Sequence, residues 1–143
     1  MNVHFSSQTC IWSTPDWLFI ELSKEFRFNL DVCASPDNAK CERYYTAEDD
    51  GLLMPWDGVC WCNPPYGNRI ADWLNKSLLE TGNGVTTVVL IPSRTDTKWF
   101  HEYVLGRCEI RFIKGRLKFG GSKNPAPFPS MLCIYKPLSK SKS

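Results

Sequence analysis

Asn63-Pro64-Pro65-Tyr66 places an amide, two rigid prolines and an aromatic ring side by side, a combination suited to holding a planar amine. The Asn63 side-chain oxygen and the Pro64 carbonyl can each accept one hydrogen of an exocyclic NH₂, while Tyr66 covers the face of the ring that carries it. Proline serves here by fixing φ and removing backbone donors, which leaves carbonyls to point at a substrate. An amine conjugated to its ring is a poor nucleophile. Accepting both of its hydrogens favours a pyramidal nitrogen with a directed lone pair. The same four residues also suit a plain strand-exit turn, because Asn and Pro are common turn formers. Context decides between the two. Val59-Cys60-Trp61-Cys62, just before the tetrad, reads as a short buried strand, and open α/β sheets bind ligands at the carboxyl ends of their strands.

The elements that carry the tetrad follow from the apolar pattern. Thr14-Pro15-Asp16 is a helix start, with Thr14 as N-cap and Pro15 at the first helical position; Trp17, Leu18, Phe19, Leu22 and Phe26 give that helix an apolar stripe. Phe28 to Cys33 reads as a first strand, closed by the turn Ala34-Ser35-Pro36-Asp37-Asn38, and a short extended piece includes Tyr44 and Tyr45. Ile70, Trp73, Leu74, Ser77 and Leu78 mark a helix that Gly82 to Gly84 terminates. Val85 to Ile91, rich in β-branched residues, is a buried strand. A helix is expected over Thr97 to Leu105. Glu109 to Ile113 and Met131 to Tyr135 are late strands on either side of a Gly/Pro-rich loop. Alternating strands and helices predict a single α/β domain with a mainly parallel sheet. The late strands have no helix between them and are expected to pair antiparallel.

Two further groups fit a cofactor site. Asp31 lies near the end of the first strand, and Glu48, Asp49 and Asp50 follow about 20 residues later, the distance at which an acid accepts hydrogen bonds from ribose hydroxyls in dinucleotide-type folds. The glycine-rich loop of phosphate-binding sites is absent, which suits a cofactor without phosphate, such as S-adenosylmethionine. Read by themselves, Asp31 is equally a turn carboxylate and Glu48 to Asp50 a solvated loop.

Composition narrows the class. The 143 residues fit one domain, with hydrophobic and charged fractions ordinary for a globular protein. No apolar stretch approaches a membrane span, and the N-terminus lacks the features of a signal peptide. Seven scattered cysteines without Cys-x-x-Cys spacing read as reduced thiols and no structural metal; Cys60 and Cys62 would share one strand face. The net charge of +2 is unevenly spread. From Arg107 onward nine basic residues face one acid, Glu109, whereas the preceding part holds eight basic and fourteen acidic residues. A solvated Lys/Ser tail accounts for residues 139–143. Lys114, Arg116, Lys118 and Lys123, in a basic stretch interleaved with Phe112, Leu117 and Phe119, instead form the electrostatic footprint of a polyanion partner.

Ile11-Trp12-Ser13-Thr14-Pro15, Leu30-Asp31-Val32-Cys33-Ala34, Asn38-Ala39-Lys40-Cys41, Glu48-Asp49-Asp50-Gly51-Leu52, Trp56 and Trp61-Cys62-Asn63-Pro64-Pro65-Tyr66-Gly67 occur together in this order. In this the chain resembles the phage-type DNA N6-adenine methyltransferases, from about Thr9 to Tyr135, including Gly115-Arg116 and Pro127-Phe128-Pro129-Ser130. The resemblance implies a single Rossmann-like methyltransferase domain over residues 1–138 with a disordered basic tail at 139–143. It implies S-adenosylmethionine as cofactor, adenine in DNA as substrate, and a bacterial host cytoplasm as the setting. On this reading Asn63, Pro64, Pro65 and Tyr66 are catalytic. Thr14, Pro15, Asp31, Cys33, Ala34, Asp50 and Asn63 hold the cofactor, and Lys114, Arg116, Lys118 and Lys123 contact DNA. Neither a metal nor a membrane is expected. The chain has no insertion large enough for a separate target-recognition domain. Glutamine side chains and RNA adenines present a similar planar amine, and a non-enzymatic nucleic-acid-binding module is the further alternative.

Overall fold

The computed structural model describes residues 12–138. Cys10, Ile11 and the expected basic tail at 139–143 lie outside them. Helix α1 (Asp16–Phe26) begins one position later than the sequence predicts, with Pro15 in the N-cap position at φ −59° and ψ 135°. The Pro15 carbonyl accepts the N–H groups of Leu18 and Phe19 at 3.1 and 3.2 Å. Thr14 therefore does not cap the helix; its hydroxyl is engaged by Asn63. Strand β1 (Leu30–Asp31) is shorter than expected, although the Asn29 and Val32 N–H groups extend its bonding to Val59 and Trp61. The chain leaves the sheet at Cys33, where the Asp31 carboxylate draws the backbone into a turn. The predicted extended piece is a bridge between Tyr44 and Asp31.

Strands β2 (Val59–Cys62) and β3 (Thr86–Pro92) fall where the apolar runs place them, separated by helix α2 (Ile70–Glu80). A short 3₁₀ turn follows α2, and Gly84, at φ 84°, turns the chain into β3. The helix expected near Thr97 is a π-helical turn, Phe100–Val104, in which the Leu105 N–H reaches the Phe100 carbonyl. Strands β4 (Glu109–Phe112) and β5 (Ser130–Tyr135) complete a five-stranded mixed sheet of order β1-β2-β3-β5-β4. The sheet is parallel from β1 to β3 and antiparallel where β5 pairs with β3 and β4, so β5 runs against the other four strands. The late antiparallel pairing agrees with the sequence, whereas parallel pairing is confined to one end.

Both faces of the sheet are covered, which explains why β2, β3 beyond Thr86-Thr87 and β5 beyond Ser130 are apolar rather than alternating. Cys60, Cys62, Val89, Ile91 and Cys133 face Trp73 and Leu74 of α2 and the π-helical turn. Trp61, Val88, Leu90, Leu132 and Ile134 face Leu18 and Leu22 of α1. Burial of those side chains, at roughly 1.5–3 kcal/mol each, holds the helices against the sheet. The loop 113–129 closes the α1 side by an alternation of its own. Leu117, Phe119, Ala126 and Phe128 are buried, and Lys114, Arg116, Lys118 and Lys123 point to solvent. Among the described residues, no helix is long and apolar enough to cross a membrane.

Candidate active site

The carboxyl ends of β1 and β2 open into a cavity of about 480 Å³, within the usual range for ligand sites of about 300–1,000 Å³. Six of the seven expected cofactor residues line it: Thr14, Asp31, Cys33, Ala34, Asp50 and Asn63. Pro65 and Tyr66 join them, whereas Pro15 and Pro64 are not on its walls. Pro15 is set back because it caps the start of α1, and Pro64 is buried. The four basic loop residues are exposed and lie outside the cavity lining.

The Asn63 amide is fixed by partners brought from far along the chain. Its Nδ2 donates to the Trp12 carbonyl and, at 3.1 Å, to Thr14 Oγ1. Two acceptors on the nitrogen determine which way the amide faces. Asn63 Oδ1 is buried and has no hydrogen-bond partner among the described residues. A buried acceptor left open is costly, about 1–3 kcal/mol, and is rare in folded proteins. Asn63 itself sits just past the end of β2 and lines the cavity. The Pro64 carbonyl likewise accepts no hydrogen bond from the described residues.

Tyr66 is set in an aromatic collar. Its ring meets Phe128 and Phe119 edge-on, at centroid separations of 5.6 and 6.4 Å, and its hydroxyl donates to the Leu90 carbonyl at 3.2 Å. Trp12 meets the same two phenylalanines edge-on at 5.3 Å. Burial raises the Tyr66 phenol well above its ordinary pKa, so the ring stays neutral. Trp12, Phe119 and Phe128 are residues of the site that no motif of paired chemistry revealed. Trp12 and Phe128 lay within the stretches that carry the family resemblance, and Phe119 was one of the apolar residues interleaved with the basic ones of the Gly/Pro-rich loop.

The acids have unequal roles. Asp31 is 2% exposed, and its two oxygens accept the backbone N–H groups of Cys33 (3.3 Å) and Lys40 (3.0 Å). It thus ties down the loop that walls the cavity. Burial pushes its carboxyl up to about 6, against the lowering effect of those two hydrogen bonds and of the Lys40 charge. Asp50 is left-handed, at φ 57°, and uses one oxygen to accept Leu52 N–H at 3.2 Å. Its second oxygen accepts nothing from the described residues. Glycine is required at position 51, where a Cβ would lie 2.1 Å from the Val32 carbonyl. Cys33 is no nucleophile here: burial and the nearby Asp31 and Asp50 charges push its thiol up to about 12.

Lys40 and Arg69 also line the cavity, but each cation is paired with an acid elsewhere, Lys40 with Asp16 at 2.7 Å and Arg69 with Asp72 at 3.1 Å. Asp31 and Asp50 have no ion-pair partner among the described residues. The uncompensated charge of the cavity is therefore negative. Apolar walls come from Val32, Leu52, Trp61 and Trp73. Such a site favours a ligand with an apolar ring and a positive charge over one carrying phosphates. The basic segment is also less free than its count suggests. Arg111 grips both oxygens of Glu25 at 2.8 and 2.7 Å and reaches Glu109 at 2.7 Å, and Lys136 lies 3.9 Å from Glu109.

Comparison with known proteins points to one family. The model of the DNA N-6-adenine-methyltransferase (Dam) family matches residues 4–143. The chain is 32% identical over 136 residues to the DNA N-6-adenine-methyltransferase of Haemophilus phage HP1 (strain HP1c1), covering 89% of this chain and 79% of that protein. It is 30% identical over 110 residues to the DNA N-6-adenine-methyltransferase of Escherichia phage T1, covering 75% of this chain and 46% of that protein.

Proposed function

This chain belongs to the DNA N-6-adenine-methyltransferase family, and we propose from that premise how its residues perform the reaction. The enzyme methylates the N6 amine of adenine in DNA. The family implies S-adenosylmethionine as the donor, whose sulfonium supplies an activated methyl group. The negative, largely apolar cavity fits that cation. Asp50, with one oxygen open, serves the ribose hydroxyls. Asp31 holds the Cys33–Lys40 loop in place and adds a second carboxylate to the cavity that would hold the cofactor. Thr14, Cys33 and Ala34 complete the wall, and Pro15 acts indirectly by starting α1 behind Thr14.

The observation that carries the assignment is the orphaned Asn63 Oδ1. With Nδ2 held by Trp12 and Thr14, the oxygen is preset to accept one hydrogen of the adenine amine, and the Pro64 carbonyl accepts the other. Both acceptors gain strength as positive charge develops on the nitrogen, so they favour the transition state over bound substrate. Pro65 keeps the turn rigid. Tyr66, braced by Phe119, Phe128 and the Leu90 carbonyl, offers its ring to the base. Alignment of this kind is worth roughly 7–11 kcal/mol in well-oriented systems. Within a duplex the amine is out of reach, so the base is flipped or already single-stranded. Stacking on an aromatic ring, about 1–3 kcal/mol, offsets part of that cost. Lys114, Arg116, Lys118 and Lys123, displayed together on the loop beside Tyr66, contact the DNA backbone.

The finer fold reading is a single Rossmann-like methyltransferase domain over residues 1–138, acting in the host cytoplasm. It rests on the ligand cavity at the carboxyl ends of parallel strands. The deciding experiment is incubation with labelled S-adenosylmethionine and, separately, DNA, RNA and protein. Label recovered as N6-methyldeoxyadenosine is the expected result; label on glutamine or on RNA adenosine alone would overturn the reading.

A further inference from the structure

A second cavity, of about 340 Å³, shares Tyr66 with the first. Gly67, Ile70, Pro92, Arg94, Thr97 and Trp99 form the rest of its wall. Its charge is opposite to that of its neighbour. No acid lines it, and the Arg94 guanidinium makes no ion pair or hydrogen bond among the described residues. The exposed Asp96 is the nearest acid in sequence and lies outside the wall.

Arg94 is exposed, yet its backbone is held firmly. Its N–H donates to the Pro92 carbonyl at 3.0 Å, and its own carbonyl accepts Thr97 N–H at 3.2 Å and Thr97 Oγ1–H at 2.8 Å. Thr97 Oγ1 in turn accepts Phe100 N–H at 3.2 Å. This turn carries the guanidinium on a rigid base, which lessens the entropy lost when it binds. Trp99, half-buried against the core, gives the cavity an apolar wall. Gly67, at φ 134°, has nothing within 4 Å of where a Cβ would stand, so its backbone is open to close approach.

We propose that this second cavity binds the sugar and phosphate of a nucleotide flanking the target adenine, with Arg94 on the phosphate and Trp99 against the deoxyribose. The proposal rests on the DNA-methylation reading above. A base held at Tyr66 carries its backbone with it, and the shared Tyr66 puts the next phosphate within reach of a cavity of the right sign. An unpaired guanidinium suits phosphate in particular, through its fork of N–H donors. Arg94 lies on the β3 side of the tetrad, away in sequence from the basic loop 113–129. It therefore supplies a contact that the loop does not, and one that is local to the methylated position rather than spread along the duplex.

The test uses a duplex oligonucleotide that the wild-type enzyme methylates at one adenine, together with copies carrying a single neutral methylphosphonate at each phosphate around it. Wild type is expected to lose about 10- to 100-fold in affinity when the one flanking phosphate gripped by Arg94 is neutralised. Arg94→Ala and Arg94→Gln lose a similar factor on unmodified DNA, become indifferent to that methylphosphonate, and show a log–log salt slope lower by about 0.9. Their affinity for S-adenosylmethionine stays at the wild-type value, and circular dichroism confirms the fold. Lys98→Ala, on the same segment but off the cavity wall, keeps the wild-type sensitivity. Arg94 variants that retain wild-type affinity, slope and methylphosphonate response would overturn this inference alone. A wild-type enzyme that transfers no methyl group to DNA would overturn the reading beneath it as well.

Discussion

Thr14→Val isolates the part of the site that orients Asn63. Valine matches threonine in shape but removes the Oγ1 that accepts Asn63 Nδ2 at 3.1 Å. The Trp12 carbonyl still holds the other amide hydrogen. The variant therefore loosens the amide without releasing it. One neutral hydrogen bond contributes about 0.5–1.5 kcal/mol net, which corresponds to a roughly 2- to 12-fold fall in the rate of methyl transfer. The assay is single-turnover formation of N6-methyladenine at saturating S-adenosylmethionine and DNA. Cofactor affinity is titrated separately, because Thr14 also lines the cavity. The sharper readout is a double-mutant cycle. In an Asn63→Ala background the amide is gone, so Thr14→Val should cost no further rate, and the coupling should equal the whole single effect. Losses that simply add would show that Thr14 acts on the cofactor and not through Asn63, refuting the orienting role.

Asp31→Asn tests the buried carboxyl. Its folded pKa, raised from 3.8 to about 6, means that the folded protein keeps a proton which the unfolded chain has released. The sign follows: this group makes stability fall as pH rises from about 4 to about 6, by roughly 3 kcal/mol at most. Urea titrations across that range should show this slope in wild type and lack it in Asp31→Asn; equal slopes would show the carboxyl to be unperturbed. Salt dependence separates free from committed cations. Lys114→Ala, Arg116→Ala, Lys118→Ala and Lys123→Ala should each lower the log–log slope of duplex binding by about 0.9, whereas Arg111→Gln, whose partners are Glu25 and Glu109, should leave it unchanged. Anisotropy titrations at several salt concentrations decide this, and a slope insensitive to all four loop residues would move the DNA surface elsewhere.

The sequence was informative where one residue type answers one physical demand. The apolar runs Val59–Cys62 and Val85–Ile91 read as buried strands, and the strands found at Val59–Cys62 and Thr86–Pro92 are covered on both faces. The tetrad's place at a strand end followed directly, and with it the cavity. Two details were hidden because they depend on partners distant in the chain. Thr14 reads as a helix cap until Asn63, 49 residues later, claims its hydroxyl. Asp31 reads both as a ligand-binding acid and as a turn carboxylate; its oxygens hold the Cys33–Lys40 loop by contacts to residues up to nine positions on, while it still lines the cavity. The basic segment was overcounted for a similar reason: nothing local to Arg111 reveals Glu25, 86 positions away. Phe119 and Phe128 belong to the site through a loop that folds back over the tetrad, a path that periodicity alone does not trace.

The central claim is that Asn63 Oδ1 is the preset acceptor for the adenine amine, and Asn63→Ala measured under single-turnover conditions tests it most directly. The account predicts a loss of about 2.7–4 kcal/mol in transition-state stabilisation, a roughly 100- to 1,000-fold slower chemical step, with cofactor and DNA affinities changed far less. Folding is checked by circular dichroism. An Asn63→Ala enzyme that forms N6-methyladenine at the wild-type rate would contradict the claim and remove the tetrad from the chemistry.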